Sequence, residues 1–278
     1  MRTVKIVADS SADLITLADV DFSCTPLKVI CAQQEFVDDE NLNVDEMVDF
    51  FQNYKERSQT SCPNPTDYLD CFGDADDVFC VTITSGLSGS YNAACIAKQL
   101  YENDHPDRRV FVIDSLSAGP ELRLTVEKLR QWILEGKDYE TICQDIMEYR
   151  EHTGLIFMLE SLKNFAANGR ISPAVAKITG FLGIRIMGQA STVGTLEPLH
   201  KCRGEAKTLS TMLQHIEKHG SPNGKVRISH CRNLAAAEKF RDLLLAKFPA
   251  MEIEINPLRG LCSYYAELGG MLVGFEKP

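Results

Sequence analysis

The stretch that decides the fold covers residues 78–100 and has the sequence VFCVTITSGLSGSYNAACIAKQL. Its first part, residues 78–83, is a short apolar run rich in β-branched residues, which is typical of a strand buried on both faces. A turn of hydroxyls and glycines follows. After the turn, apolar residues recur at helical spacing, which predicts one buried helix face. That face would consist of Ala93, Ile96, Ala97, Leu100 and Tyr101.

The turn between the strand and the helix, residues 84–90, has the composition of an anion-binding device. Backbone N–H groups at a helix N-terminus lack partners and carry partial positive charge. Gly86 and Gly89 would let the backbone approach a ligand closely, and the hydroxyls of Ser85 and Ser88 add donors. A simpler interpretation is that Ser88 or Ser90 caps the helix. The turn alone leaves both interpretations open.

Two further strands end in the same way. Residues 5–8 are followed by Asp9-Ser10-Ser11, and residues 109–113 are followed by a loop that contains Asp114, Ser115 and Ser117. In an open parallel sheet such loops gather along the carboxyl edge, where ligands bind. Because coincidence explains three polar turns poorly, the pattern favours a polar ligand site at that edge.

Composition narrows the possible functions. The 278 residues are 44% hydrophobic and 24% charged, as in ordinary globular proteins, and the net charge of −10 argues against a nucleic-acid surface. No apolar run approaches the ~20 residues of a membrane span, and we expect no signal peptide because the first strand begins almost at once. None of the ten cysteines forms a Cys-x-x-Cys pair, which indicates buried thiols in a reducing cytoplasm and no zinc site.

The chain length suits two domains. The first half predicts regular strand–helix alternation with a parallel sheet, and from about residue 153 hairpins predict a mixed α/β unit. The predicted domains are therefore residues 1–152 and 153–278. Further predictions concern a strand at 25–31, a helix at 174–181, a hairpin at 191–199 and a helix capped by Asn233.

Catalytic signatures are missing from the sequence. The turn lacks the Lys-Ser/Thr of a phosphate-binding loop, no dinucleotide fingerprint follows the first strand, and the last glycine of a nucleophile elbow is absent. His215 and His219 lie four residues apart on a predicted helix, which can suit a metal, but without a third ligand an exposed face is the better interpretation. The polar edge is thus equipped for binding an anion and lacks an arrangement for catalysis.

Several motifs together resemble the DegV family, and the resemblance covers essentially the whole chain. These motifs are Asp9-Ser10-Ser11-Ala12-Asp13-Leu14, Thr60-Ser61 with Pro63, Thr84-Ser85-Gly86-Leu87-Ser88-Gly89-Ser90-Tyr91, Asp114-Ser115-Leu116-Ser117 and Gly169-Arg170-Ile171-Ser172. The resemblance implies two α/β domains that bury a long-chain fatty acid between them. It also implies a carrier whose bound carboxylate is phosphorylated by a separate ATP-dependent fatty acid kinase subunit.

The same resemblance implies the roles of individual residues. The hydroxyl of Thr60 or Ser61 would bind the carboxylate together with that of Ser88, for which Ser85 is the alternative. Gly86 would give a backbone donor, and Ser115 belongs to the same implied site. Arg170 and Arg203 would face the carboxylate mouth or the kinase. The family has a histidine in a turn near the C-terminus, whereas the comparable stretch here, residues 260–266, is GLCSYYA. Either Cys262 or Ser263 would replace this histidine, or the head group and the kinase step would differ.

The first hypothesis is therefore a fatty-acid carrier with no catalysis of its own and no cofactor besides the bound lipid. An alternative, in a different class, is an α/β enzyme acting on a small phosphorylated or carboxylated metabolite, which the same polar turns would suit. A third possibility is a carrier that senses lipid without a kinase. Chain length, unsaturation, oligomeric state and the identity of the kinase are not encoded in any pattern of the sequence.

Overall fold

The computed structural model describes residues 2–171, 175 and 183–278, and it contains both strands and helices. In chain order they are β1 (Val4–Asp9), β2 (Asp21–Thr25), β3 (Lys28–Cys31), β4 (Glu35–Val37), α1 (Val44–Asn53), β5 (Ser58–Ser61), α2 (Pro65–Phe72), β6 (Asp77–Thr82), α3 (Ser90–Asp104), β7 (Arg109–Asp114), α4 (Pro120–Leu134), α5 (Tyr139–Glu151), β8 (Thr153–Leu159), α6 (Lys163–Ala167), β9 (Ile184–Ala190), β10 (Leu196–Arg203), α7 (Glu205–His219), β11 (Lys225–His230), α8 (Leu234–Lys247), β12 (Glu252–Pro257), α9 (Gly260–Ala266) and β13 (Met271–Glu276). The predicted helix at 174–181 lies outside the described residues.

The first sheet is parallel, with strand order β2-β1-β6-β7. Strand β6 is buried along its whole length, and its side chains alternate between two cores. Val78 and Cys80 pack with α2 and α3, while Phe79 and Val81 pack with α4 and α5. The prediction of a doubly covered strand followed by a polar turn and a helix is confirmed.

The predicted strand at 25–31 is wrong as a single element. Pro26 interrupts it, because proline has no N–H to donate to a strand ladder. Thr25 ends β2 in the parallel sheet, and Lys28 begins β3 in a separate three-stranded antiparallel sheet of order β4-β3-β5. The small sheet matters for function because β5 carries Thr60 and Ser61.

The buried face of α3 differs from the prediction. Ala93, Ala97 and Tyr101 are buried together with Ala94, whereas Ile96 and Leu100 are 44% and 46% exposed. The small alanines let α3 pack closely against the parallel sheet and α2, so close packing decides which stripe faces inward. Hydrophobic spacing alone wrongly included Ile96 and Leu100 in the buried face and left out Ala94.

The second half contains a six-stranded mixed sheet of order β10-β9-β8-β13-β11-β12. Its β9–β10 hairpin is longer than the predicted 191–199, and residues 191–195 form the turn. Helix α4 joins this sheet to the parallel one. A Cβ at Gly274 of β13 would lie 2.5 Å from the Pro120 carbonyl carbon, and Glu127 of α4 pairs with Arg227 of β11 at 2.7 Å. The α/β class, with a parallel and a mixed sheet, is confirmed, and the division at residue 152 stays a prediction.

Local signals account for several helix starts. Asn43 caps α1 by accepting the Glu46 amide, and Asn64 with Asp67 forms a full capping box on α2. Asn233 occupies the N-cap position of α8 as predicted, but its side chain donates to the Gly269 carbonyl and makes no capping hydrogen bond. None of the helices in the described part of the chain is long and apolar enough to cross a membrane.

Candidate ligand-binding site

A cavity of about 290 Å³ lies between the parallel sheet, the small sheet and the mixed sheet. Most of its wall is apolar, and the aliphatic and aromatic lining residues are Leu27, Ile83, Leu87, Leu155, Phe157, Leu159, Phe165, Leu196, Leu261 and Leu272. A mostly apolar cavity with a few polar groups is typical of a small-molecule site, and its volume is at the lower end of the range for such sites.

The three polar turns of the parallel sheet meet beside this cavity, as the sequence predicted. Asp9 is fully buried and accepts hydrogen bonds from the Ser11 and Ile83 amides, at 3.2 and 2.8 Å. Backbone bonds from Gly119 to Ser11 and from Thr84 to Ser117 connect the third turn to the other two. Burial raises the pKa of Asp9 to about 6, although these hydrogen bonds act to lower it. We conclude that Asp9 holds the turns together and does not face a ligand.

Hydroxyl groups line the cavity from several segments, among them Thr84, Ser117 and Thr195, and one group of them surrounds the end of β5. Thr60 and Ser61, at the end of β5, line it beside Tyr265 of α9, and the Thr60 Oγ1 and Tyr265 hydroxyl oxygens are 2.7 Å apart. Arg170 lines the same part of the wall. Burial raises the pKa of Tyr265, with the Thr60 hydroxyl and the Arg170 guanidinium acting in the opposite direction. The phenol therefore stays protonated and can donate a hydrogen bond.

Helix α3 presents its N-terminus to the same region. The N-cap residue is Gly89, which has no side chain to cap the helix. Ser88 and Gly89 both line the cavity. The Ser88 hydroxyl accepts from the Ser90 amide at 3.2 Å and lies 3.0 Å from the Ser90 hydroxyl. A Cβ at Gly89 would lie 3.1 Å from the Cys62 sulfur, so the end of β5 touches the helix N-terminus. Thr60, Ser61 and Ser88 thus line the same cavity, and their role in binding a carboxylate stays a prediction of the resemblance.

Other predicted site residues lie outside the cavity wall. Ser85 is exposed, and its amide donates to the Asp114 carboxylate. Gly86 packs on the β9–β10 turn, where a Cβ would lie 2.8 Å from the Val193 carbonyl oxygen. Ser115 is buried and donates to the Ser117 carbonyl. Arg203 is exposed at the end of β10.

The stretch 260–266 forms helix α9, although the resemblance implied a turn here. Asp38 is buried and accepts from the Gly260 and Leu261 amides, both at 2.9 Å, which fixes the start of the helix. Ser263 turns away from the cavity and donates to the Leu258 carbonyl. Asp38 is distant in sequence from this helix, so no local pattern indicated the arrangement.

Cys262 lines the cavity but carries no charge there. Its Sγ donates to the Ser11 carbonyl at 3.6 Å, and burial together with Asp13 and Asp38 raises the pKa of the thiol well above its usual value. Sequence reasoning missed Tyr265, which is the residue of this helix that brings a hydroxyl to Thr60. The only sequence signal for it was a pair of adjacent tyrosines in a short apolar segment. In the described part of the chain, no cluster of three or more His, Cys, Asp or Glu could hold a metal ion.

Comparison with known proteins places the chain in a family. Residues 3–277 match the family model described as "Uncharacterised protein, DegV family". DegV domain-containing proteins of Streptococcus gordonii and Streptococcus pneumoniae are 42% and 41% identical over 278 residues, covering 99% of each chain.

Two solved structures superpose closely on the chain, each with a TM-score of 0.97 and 41% identity over 99% of this chain and 100% of the other. One is a DegV family protein from Eubacterium eligens loaded with heptadecanoic acid, and the other is the Streptococcus pneumoniae Fatty Acid Kinase B3 protein loaded with linoleic acid. The cavity described above lies in a chain of the same fold and family as these fatty-acid-loaded proteins. By these matches, the chain belongs to the DegV family.

Proposed function

We propose that this protein binds a long-chain fatty acid in the cavity and presents its carboxylate to a separate kinase. The observation that carries the proposal is the composition of the wall, in which the hydroxyls of Thr60, Ser61, Ser88 and Tyr265 and the Arg170 guanidinium border a mostly apolar space. Similarity to two proteins of known structure that carry fatty acids supports it. The comparisons give no support to the alternative of an enzyme acting on a small metabolite.

The acyl chain and the carboxylate would contribute differently. About 14 methylenes, at ~0.8 kcal/mol each, amount to a gross ~11 kcal/mol before the costs of association. A hydrogen bond to a charged group adds ~1.5–3 kcal/mol. The tail would therefore supply most of the affinity, while the hydroxyls select an acid over a neutral head group and fix its orientation.

Tyr265 takes the place in this proposal that the resemblance assigns to a histidine. Its protonated hydroxyl can donate to a carboxylate, while the neutral Cys262 thiol already donates to a backbone carbonyl and Ser263 faces away. The carrier would hold the fatty acid without catalysing a reaction, and no cofactor besides the lipid is proposed. A cytoplasmic location belongs to the same proposal.

The lipid-binding part is tested with delipidated protein. Native mass spectrometry of the purified protein should show a co-purifying acyl chain, and calorimetry should show binding of palmitate with weaker binding of hexadecanol. Thr60→Val keeps the side-chain shape and removes the hydroxyl, so palmitate affinity should fall about 10- to 100-fold, the equivalent of one charged hydrogen bond. Hexadecanol affinity should change little.

Ser85→Ala is the matched control, because Ser85 lies in the same loop as Ser88 but outside the cavity wall. Loss of acid selectivity in this control, or equal loss for acid and alcohol in Thr60→Val, would contradict the proposed head-group site. Failure of the parent protein to bind any fatty acid would remove the proposal altogether.

The kinase-facing part needs a separate test. A purified fatty acid kinase subunit from the same genome should form acyl phosphate only when the loaded carrier and ATP are present. Arg170→Gln and Arg203→Gln should both lower the rate of acyl phosphate formation. Arg203→Gln should do so without a change in palmitate affinity. A loaded carrier that supports no phosphorylation would favour the lipid-sensing alternative.

A further inference from the structure

A second cavity, of about 550 Å³, lies on the other side of the wall formed by Leu155, Gln189 and Ala190. It is bordered by the loop after β7, the end of α5, helix α7 and the C-terminal residues that follow β13. Ser115, which the sequence placed in the carboxylate site, lines this cavity instead. The proposed fatty-acid site therefore does not account for it.

Two cations face this cavity, and their side chains donate to backbone carbonyls. Arg150 donates to the Asp114 carbonyl at 2.9 Å, and Lys277 donates to the Glu151 carbonyl at 3.3 Å. Among the residues that the structure describes, neither side chain forms a salt bridge. The chain has 39 acidic and only 29 basic residues, so cations that converge on a cavity without such pairing are unusual here. Their charge is available to an anionic ligand.

Packing holds Lys277 in position over the cavity. A Cβ at Gly154 would lie 2.9 Å from Lys277 Cε and 2.9 Å from Phe275 Cζ. The lysine stem and the phenylalanine ring therefore occupy the space that a side chain at position 154 would need. The stem of Lys277 thus packs against Gly154 of β8, next to the Phe275 ring.

Two histidines of α7 line the opposite wall. The ring centroids of His215 and His219 are 4.7 Å apart, and His215 also packs edge-on against Phe275 at 6.2 Å. Burial and the neighbouring His219 lower the pKa of His215 to about 4, so its imidazole is neutral at physiological pH. A neutral imidazole offers one N–H donor, and the Ser191 and Thr192 hydroxyls add further donors at the rim.

Two carboxylates border the cavity beside these cations. Glu121 is buried and accepts from the Thr153 hydroxyl at 2.8 Å; burial raises its pKa, while Arg150 and Lys277 act in the opposite direction. Glu151 is exposed, where solvent screens its charge. Two cations therefore face one buried carboxylate, which leaves the lining of the cavity with an excess of positive charge.

We propose that this second cavity binds a small organic phosphate, with Arg150 and Lys277 holding the phosphate group. A tetrahedral phosphate accepts hydrogen bonds from several directions, which suits donors arriving from α5, α7 and the C-terminal segment. Leu116, Leu155 and Phe275 form an apolar part of the wall against which the organic body would pack. The volume falls within the range of small-molecule sites.

Phenyl phosphate is a suitable probe because it combines the anion with an apolar body. We expect calorimetry to show one binding site for phenyl phosphate, and phenol to bind far more weakly. Arg150→Gln and Lys277→Gln should each weaken phenyl phosphate binding about tenfold, as expected for loss of a charge-assisted contact. In NMR titrations, phenyl phosphate should move the protonation midpoint of the His215 imidazole to higher pH, because a nearby anion stabilises the imidazolium.

Lys98→Gln makes the same change of net charge on α3, remote from the cavity, and should leave binding unchanged. Palmitate affinity should be the same in parent, Arg150→Gln and Lys277→Gln, so this proposal and the fatty-acid proposal fail independently. Displacement of phenyl phosphate by palmitate combined with unchanged binding in both variants would place the probe in the first cavity and overturn the inference. Absence of any binding by the parent protein at millimolar phenyl phosphate would also overturn it.

Discussion

Replacing Asp38 with asparagine should weaken both the fold and the cavity wall. The Asp38 carboxylate accepts the first two amides of α9, from Gly260 and Leu261, at 2.9 Å each. It also lies 3.4 Å from the Arg259 Nε atom. A Cβ at position 260 would lie 2.8 Å from Asp38 Oδ1, so this close approach requires the glycine. Because α9 supplies Leu261, Cys262 and Tyr265 to the cavity, the anchor affects the site directly.

The size of the effect follows from these bonds. Asparagine keeps one acceptor oxygen and turns an NH₂ group toward the other amide, so one charge-assisted bond is lost and one buried N–H loses its partner. Such bonds contribute ~1.5–3 kcal/mol, and an unsatisfied buried group costs ~1–3 kcal/mol. The neutral amide is cheaper to bury than the carboxylate, whose pKa is raised by burial, and this offsets part of the loss. We expect the free energy of unfolding to fall by about 2–3 kcal/mol.

Urea unfolding monitored by circular dichroism measures this change directly. The midpoint should fall by roughly 1 M at an unchanged slope, since the slope depends on the surface exposed on unfolding. Glu40→Gln makes the same charge change at an exposed position nearby and should leave the midpoint within experimental scatter. An Asp38→Asn protein within about 0.5 kcal/mol of the parent would show that the carboxylate does not hold α9, and the reasoning would fail.

Three other changes test separate features. Burial raises the pKa of Asp13 to about 7. Between pH 4 and pH 7 the folded state therefore keeps a proton that the unfolded state has released, and the free energy of unfolding falls as the pH rises through this range. Asp13→Asn should therefore gain about 3 kcal/mol relative to the parent between pH 4.5 and pH 8 in urea unfolding, and parallel pH profiles would contradict this. Gly188→Ala would place a Cβ 2.3 Å from Phe157 Cζ and 2.5 Å from the Glu197 carbonyl oxygen, so we expect a loss of ~1–3 kcal/mol and weaker palmitate binding as the ring moves into the cavity. An unchanged urea midpoint would show that β9 adapts freely. The Ser229 hydroxyl is buried and has no hydrogen-bond partner among the described residues, so Ser229→Ala should keep or raise the melting temperature, and a fall of several degrees would reveal a missed partner.

Local signals in the sequence predicted much of the architecture. Residues 78–83 and 109–113 were recognisable as buried strands because their apolar runs are short and bounded by polar turns. Helix α4 begins at Pro120 and ends just before Gly136, which has φ of 75°, as the positional preferences of proline and glycine predict. These features depend on backbone sterics within a few residues, so a linear pattern contains them.

The candidate site was only partly predictable. The meeting of three polar turns follows from a general property of parallel sheets, and Thr60 and Ser61 followed from the family resemblance. The resemblance did not show that β5 belongs to a separate small sheet, which brings Thr60 within hydrogen-bonding distance of Tyr265. Nor could local spacing show that Ile96 would be exposed, because that depends on how closely α2 packs against α3.

The sequence by itself determined the α/β class, the position of the polar edge and a surplus of acidic residues. Tertiary structure alone decided which hydroxyls face the cavity. Ser85 and Ser88 are nearly adjacent and chemically identical, yet Ser88 lines the cavity while Ser85 is exposed to solvent. The direction of such a side chain is decided by contacts between segments far apart in the chain, as with Asp38 and α9. Residue type and spacing do not encode these contacts, because they arise only when the three sheets pack together.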